Sequence, residues 1–212
     1  MYALIMAGGA GSRLNLGEKP LIQICGRPLV SYVIDAFRGA GCEPVVAASY
    51  KTPMTLNWCR AHGIEFCKTE GAGYIEDMVS AVEMLEEEKP LFVSASDLPC
   101  ITPDIIHTIT DAYRLGGKDA CSVWVPATMV TSCREGMPYR EEIHGITACP
   151  AGVNILNGEI IAQPQDELQL ILEDPRLALN VNTKEDLKKA GIFIKQNPVI
   201  QQGKKQGKNI FH

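Results

Sequence analysis

Residues 4 to 20 read Leu4-Ile5-Met6-Ala7-Gly8-Gly9-Ala10-Gly11-Ser12-Arg13-Leu14-Asn15-Leu16-Gly17-Glu18-Lys19-Pro20, an apolar run passing straight into a glycine-rich loop with two cations on its far side. The pattern predicts a buried strand feeding a polyphosphate cradle. Glycines 8, 9 and 11 let the main chain approach oxygens closely and adopt positive φ, and successive N–H groups then form a concave anion site. Arg13 and Lys19 add full positive charge where backbone dipoles alone are weak.

Two other glycine loops that follow strands do not fit. A dinucleotide fingerprint counted from Gly9 needs glycine or alanine where Leu14 stands, and an acid about twenty residues on that is free to hold a ribose. Asp35 lies near that spacing but belongs to a helical pattern. A P-loop needs Gly-Lys-Ser/Thr opening a helix, whereas Pro20 here favours an extended Lys19, so the chain is expected to leave the loop as strand.

Beyond the loop, strands and helices alternate. Residues 2–7 and 44–48 are β-rich, and 28–38 puts Leu29, Val30, Val33, Ile34 and Phe37 on one helical face before Gly39 and Gly41 stop it. Helices are expected at 54–62 and around Ile75, Met78, Val79, Val82 and Leu85, with a strand at 64–68 between them. Leu91 to Ser96 reads as a strand ending at Asp97-Leu98-Pro99, after which Thr102 caps and Pro103 starts a helix lined by Ile105, Ile106, Ile109 and Ala112. Strands follow at 120–125 and 148–156, separated by a long polar segment, 128–147, of the kind that is more often functional than filler. Thr183 and Asp186 form a capping pair for a closing helix.

This order predicts a single-domain, three-layer α/β/α fold on a mostly parallel, Rossmann-like sheet. Ligands in such sheets gather beyond the carboxyl ends of strands, where both the glycine loop and Asp97 fall. The domain is expected to span 1–194, with 195–212 a basic, flexible tail.

Composition narrows the function. The 212 residues carry a formal net charge of −5, and residues 1–194 hold 16 cations against 25 acids, so no nucleic-acid surface is expected. Arg13 and Lys19 are local exceptions in an acidic body. A chain of this size buries roughly 70% of its unfolded surface. No apolar run reaches the roughly 20 residues of a membrane span, and the first residues read as strand rather than signal peptide. Eight cysteines include no Cys-x-x-Cys pair, so reduced, mostly buried thiols in a cytoplasmic protein are expected, with a structural zinc site as the minor reading.

The chemistry-bearing residues are few. Asp97, a lone carboxylate closing an apolar strand, is the candidate ligand for Mg²⁺, which takes one or two carboxylates together with phosphate oxygens and water. The alternative is a turn or capping aspartate. Asn180 and Asn182, two apart on an extended stretch, can point the same way toward a ligand or can satisfy a turn, and Asn182 is the candidate second metal ligand. Gly73, in Gly71-Ala72-Gly73-Tyr74-Ile75-Glu76-Asp77, opens a helix where an anion or base could sit. Gly152 in Pro150-Ala151-Gly152-Val153-Asn154 marks either close approach of a ligand or a bulge. The four histidines show no ligand spacing and no serine sits in a nucleophile elbow, which leaves phosphoryl-type transfer by positioning and charge.

The order of the Gly8–Pro20 loop, Asp97-Leu98-Pro99 and Asn180–Thr183 resembles the nucleotidyltransferase superfamily of molybdenum-cofactor guanylyltransferases and sugar-phosphate nucleotidyltransferases. Tyr2–Gly9, Glu18-Lys19-Pro20-Leu21-Ile22, Gly73–Asp77 and Pro150–Asn154 are similar to the archaeal GTP:adenosylcobinamide-phosphate guanylyltransferases within it. The resemblance implies the nucleotide-diphospho-sugar transferase type of fold, with GTP bound by Ala7, Gly8, Gly9, Gly11, Ser12, Arg13, Lys19, Gly73, Asp97 and Gly152. It implies catalytic roles for Arg13, Lys19 and Asp97, and attack of a corrinoid phosphate on the α-phosphorus with loss of pyrophosphate, in cobalamin biosynthesis. Residues 128–147 would face the corrinoid, and a homodimer is an expectation the chain leaves open. Asn15 departs from the glycine common in relatives, a change asparagine tolerates because it visits the left-handed region. The competing readings are a guanylyltransferase acting on molybdopterin or a sugar 1-phosphate, a GTP-sensing module without turnover and, last, a dinucleotide oxidoreductase.

Overall fold

In a computed structural model, which describes residues 1–9, 14, 16–130, 139–197 and 200, the chain forms ten strands and five α-helices among the described residues. The opening run folds as β1 (Tyr2–Met6), whose residues 3 to 6 are buried on both faces, as a central parallel strand requires. It is followed by a short antiparallel pair, β2 (Gln23–Ile24) and β3 (Arg27–Pro28), and by α1 (Leu29–Gly39). Gly41, at φ +78, ends α1 in the left-handed conformation that glycine adopts without penalty.

Next come β4 (Glu43–Ser49), α2 (Pro53–Ala61), β5 (Glu65–Thr69), α3 (Tyr74–Met84), β6 (Pro90–Ala95), α4 (Pro103–Gly116) and β7 (Ala120–Pro126), close to the expected alternation. β8 (Glu141–Ile143), β9 (Ile146–Asn157), β10 (Glu167–Ile171) and α5 (Lys184–Gln196) complete the chain. The sheet order is β10-β7-β9-β6-β1-β4-β5, with β8 paired to β9.

Alternate residues of each strand feed opposite faces. Ala3, Ile5, Val46 and Ala48 pack with α1, α2 and α4 residues such as Val33, Phe37, Leu56 and Ile106. Leu4, Met6, Val45 and Ala47 pack with Met78, Ala81 and Val82 of α3. These are the three expected layers. α5 closes a third cluster with Leu14, Ile22, Ile24 and Tyr32.

Three features depart from the reading of the sequence. β9 is antiparallel to both β6 and β7, because β8 and β9 form a hairpin turned by His144 (φ +51) and Gly145 (φ +79). Two successive residues at positive φ give the turn that matches strand twist and reverses the chain at once. The hairpin also takes residues 141–147 of the segment read as irregular, while 131–138 lie outside the described residues. β10 is a short edge strand in which Leu168 and Leu170 alternate with Glu167 and Gln169, a pattern too brief to stand out. Lys19, expected in extended backbone, instead begins a single 3-10 turn, Lys19–Leu21, closed by Leu21 N–H to Glu18 O at 2.9 Å.

The cysteines follow expectation. Seven are free thiols among the described residues. Burial pushes Cys59 and Cys121 up to about 11 and Cys100 up to about 12, which makes them inert packing groups. No cluster of three or more His, Cys, Asp or Glu side chains able to hold a metal occurs among the described residues.

Candidate active site

From β1 the chain crosses to β4 and β5 on one side and returns to β6 on the other, so the carboxyl ends of β1 and β6 flank the point where strand order reverses. A cavity of about 420 Å³ opens there. That size falls within the range of small-molecule sites. Gly8, Gly9, Lys19, Gly73 and Asp97, all expected at the site, line it together with Ser96, Lys51, Gly71, Tyr74 and Asp77.

On the β6 side, the strand delivers Asp97, 8% exposed, next to Lys19. Lys19 Nζ donates to Asp97 Oδ2 and, at 2.8 Å, to Asn182 Oδ1. Asn182 Nδ2 in turn donates to Asn180 Oδ1 at 2.9 Å, so the two asparagines do share a side. Their stretch is stitched to the end of β6 by Val181 N–H to Asp97 O at 3.0 Å. Behind it, the Thr183–Asp186 capping box is complete and ties the stretch to α5. Asp97 Oδ1 is buried and has no hydrogen-bond partner among the described residues. A buried carboxylate oxygen left free is costly unless a cation or donor completes it, which fits a hard dication.

Lys19 is placed by a neighbour the motif reading left without a role. The Glu18 carboxylate accepts from Met54 N at 2.8 Å, Thr55 N at 2.7 Å and Thr55 Oγ1 at 2.6 Å, and so caps α2 from 36 residues away. Thr52, the local residue at that helix start, makes no side-chain cap because its Oγ1 accepts from Ser49 N at 3.1 Å. A glutamate preceding Lys19 thus fixes the loop end to a rigid element.

On the β4 side, Ser49 Oγ donates to Gly8 O at 3.1 Å. Neither Gly8 nor Gly9 adopts the left-handed backbone that the loop was expected to use. What glycine supplies at position 8 is room, since a Cβ there would stand 3.4 Å from both Asp77 Oδ2 and Ser49 Oγ. Gly73 is the N-cap of α3, but the N–H groups of Gly71 and Ala72 just before it point at Asp77 Oδ1, 2.9 and 3.2 Å away, and are already used. Tyr74 is half exposed overall. Desolvation within the cleft, aided by the charge of Asp97, pushes its phenol up to about 12, so it stays a neutral hydrogen-bonding group.

Five expected residues fall elsewhere or cannot be placed. Ala7 continues the sheet, donating to Ala47 O at 2.7 Å, and Gly152 sits at a bulge in β9 (φ +79) against Ala95 and Leu98, so neither lines the cavity. Gly11, Ser12 and Arg13 lie outside the described residues.

Residues 3–148 match the model of the MobA-like NTP transferase domain. The chain belongs to this family. The transferase is 33% identical over 203 residues to an adenosylcobinamide-phosphate guanylyltransferase of Methanocaldococcus jannaschii, covering 93% of this chain and 99% of that one. It is 32% identical over 116 residues to the mannose-1-phosphate guanylyltransferase catalytic subunit beta of Danio rerio, but this covers 49% of the transferase and 32% of the relative. Among solved structures, HddC from Yersinia pseudotuberculosis in complex with GMP-PN has a TM-score of 0.69 at 18% identity, covering 92% of the transferase and 100% of HddC. A CMP:2-keto-3-deoxy-manno-octonic acid synthetase complexed with CTP has a TM-score of 0.68 at 17% identity, covering 92% and 98%. These structures bear out the nucleotide-diphospho-sugar transferase type of fold.

Proposed function

We propose that this transferase moves GMP from GTP to adenosylcobinamide phosphate in cobalamin biosynthesis. The observation that carries the reading is the end-to-end match to a guanylyltransferase of that acceptor, which spans the whole relative rather than a nucleotide-binding core alone. The cleft supplies what the reaction needs. An acceptor phosphate oxygen is already anionic and needs no protein base, and no histidine is among the residues lining the cleft. The oxygen attacks the α-phosphorus of GTP, the bond from that phosphorus to the bridging oxygen breaks, and pyrophosphate leaves with the electron pair.

Charge handling then dominates. Lys19, held by Glu18 behind it and by Asn182 beside it, meets the phosphates with a fixed ammonium. Arg13 is assigned the same task on the loop's far arm. Asp97 would hold Mg²⁺ through its unpartnered Oδ1, with Asn182 as the second oxygen, and the ion when bound supplies charge neutralisation of the polyphosphate. A single protein carboxylate suits a dication that draws its other ligands from phosphate and water. We place the protein in the cytoplasm because its described cysteines are free thiols. No helix among the described residues is long and apolar enough to cross a membrane.

Pyrophosphate release measured over a grid of nucleotides and acceptors tests the reading. Turnover with GTP and adenosylcobinamide phosphate, and not with molybdopterin or sugar 1-phosphates, is expected. Tight GTP binding with no release for any acceptor would mean a sensor instead.

A further inference from the structure

The β4 side of the cleft holds a carboxylate that the transfer reaction does not use. Asp77, on the first turn of α3, is 7% exposed, and its two oxygens have different duties. Oδ1 takes the Gly71 and Ala72 N–H groups at 2.9 and 3.2 Å. Oδ2 accepts no hydrogen bond from any described residue and faces the cavity beside Gly8, 3.4 Å from where a Cβ on that glycine would stand. The one cation lining that side among the described residues, Lys51, donates to Gly71 O at 2.6 Å.

Lys19 is matched by Asp97 and Lys51 by Asp77, so the side that gains positive charge is the β6 side, where the dication of the proposed transfer would sit on Asp97 and a triphosphate would follow it. The charges therefore orient the nucleotide, with phosphates toward Lys19 and the base toward Asp77. What remains for Asp77 Oδ2 is to accept from the base. Guanine presents two adjacent donors on one edge, the ring N1–H and the exocyclic amino group at C2. Adenine and cytosine set their amino group beside a ring acceptor, and uracil flanks its N–H with two carbonyls, so each would bring an acceptor lone pair toward the carboxylate. We propose that Asp77 is the specificity-determining residue for guanine, with Oδ1 locking the Gly71–Gly73 turn and Oδ2 reading the base. The inference rests on the GTP-dependent transfer proposed above.

Asp77→Asn tests it with little change of shape, because the amide oxygen can keep the two N–H partners while the NH₂ replaces Oδ2. Pyrophosphate release would be followed for the unmodified chain and D77N with GTP, ITP and XTP. The unmodified chain should prefer GTP over ITP, which lacks the amino group, by about 10- to 100-fold, the worth of a charge-assisted hydrogen bond. D77N should lose GTP efficiency by a similar factor, treat GTP and ITP alike, and favour XTP, whose 2-oxo group accepts from the new amide. An unchanged GTP-to-XTP preference in a folded D77N would overturn the assignment. So would equal use of GTP and ITP by the unmodified chain, a result that needs no variant at all. If the unmodified chain turned over none of the three with any acceptor, the transfer reading would fail instead, which separates the two claims.

Discussion

Removing the Glu18 side chain should loosen both α2 and Lys19, and the size of the effect can be worked out from its three contacts. Met54 is 62% exposed, so its N–H regains water when the carboxylate is gone and costs little. Thr55 is 0% exposed, so its N–H and hydroxyl lose a charged acceptor with no replacement. A missing helix cap costs about 1 kcal/mol, and a buried donor left unpaired about 1–3 kcal/mol. Allowing for partial rewetting of Thr55, Glu18→Ala should lose about 2–3 kcal/mol, which for a chain of this length lowers Tm by roughly 4–12 °C. Glu18→Gln, keeping one acceptor oxygen, should fall between. Thr55→Val removes only the hydroxyl, and combining it with Glu18→Ala should show a coupling of roughly 0.5–1.5 kcal/mol in a thermal or urea double-mutant cycle. The kinetic consequence is separate: with the loop end unpinned, kcat/KM for pyrophosphate release should drop about tenfold or more, measured below the lowered Tm. A stability loss with kinetics intact would reduce Glu18 to a structural clamp. An unchanged Tm would refute the contact itself.

Lys19→Met and Arg13→Ala should each lower kcat/KM by roughly 10²- to 10³-fold, about 2.7–4 kcal/mol, while circular dichroism shows the fold retained. Asp97→Asn should nearly abolish turnover across a Mg²⁺ titration, and chelation of the unmodified chain should do the same reversibly. Equal metal response in both proteins would remove Asp97 from the site. Away from the cleft, Arg176 binds Asp174 and Asp104 and donates to Thr102 Oγ1 at 2.8 Å. Burial raises both carboxyls, but the guanidinium outweighs it and holds them below their ordinary range. A depressed folded-state pKa contributes stability above the unfolded value, near pH 4, that is lost as pH falls through the folded value. The Tm gap between the unmodified chain and Arg176→Ala should therefore be full near neutrality and shrink below about pH 4.

The alternation from β1 to α4 was legible because each element announces itself locally: continuous apolar strands, Pro103 opening a helix, Gly41 ending one. β10 was not, since five residues of shallow alternation at a sheet edge carry little signal. The direction of β9 depends on a two-residue turn at His144-Gly145, which offers only one glycine as a cue. In the site, Lys19, Asp97 and the Gly8-Gly9 step could be read because charge beside glycine at a strand end is unusual. Glu18 and Asp77 were harder to read. Their roles arise from contacts to Met54, Thr55 and Gly8, distant in sequence, and a lone acid in a helical pattern looks like any solvated one. Gly152 shows the reverse, where the alternative of a bulge describes its place and a lining position does not.

The most direct test is a structure of the transferase with a non-hydrolysable GTP analogue and Mg²⁺. The account predicts the triphosphate between Gly8-Gly9 and the Lys19–Asp97 pair, with metal on Asp97 Oδ1 and the base toward Asp77. A nucleotide bound elsewhere, with that cleft vacant, would contradict it.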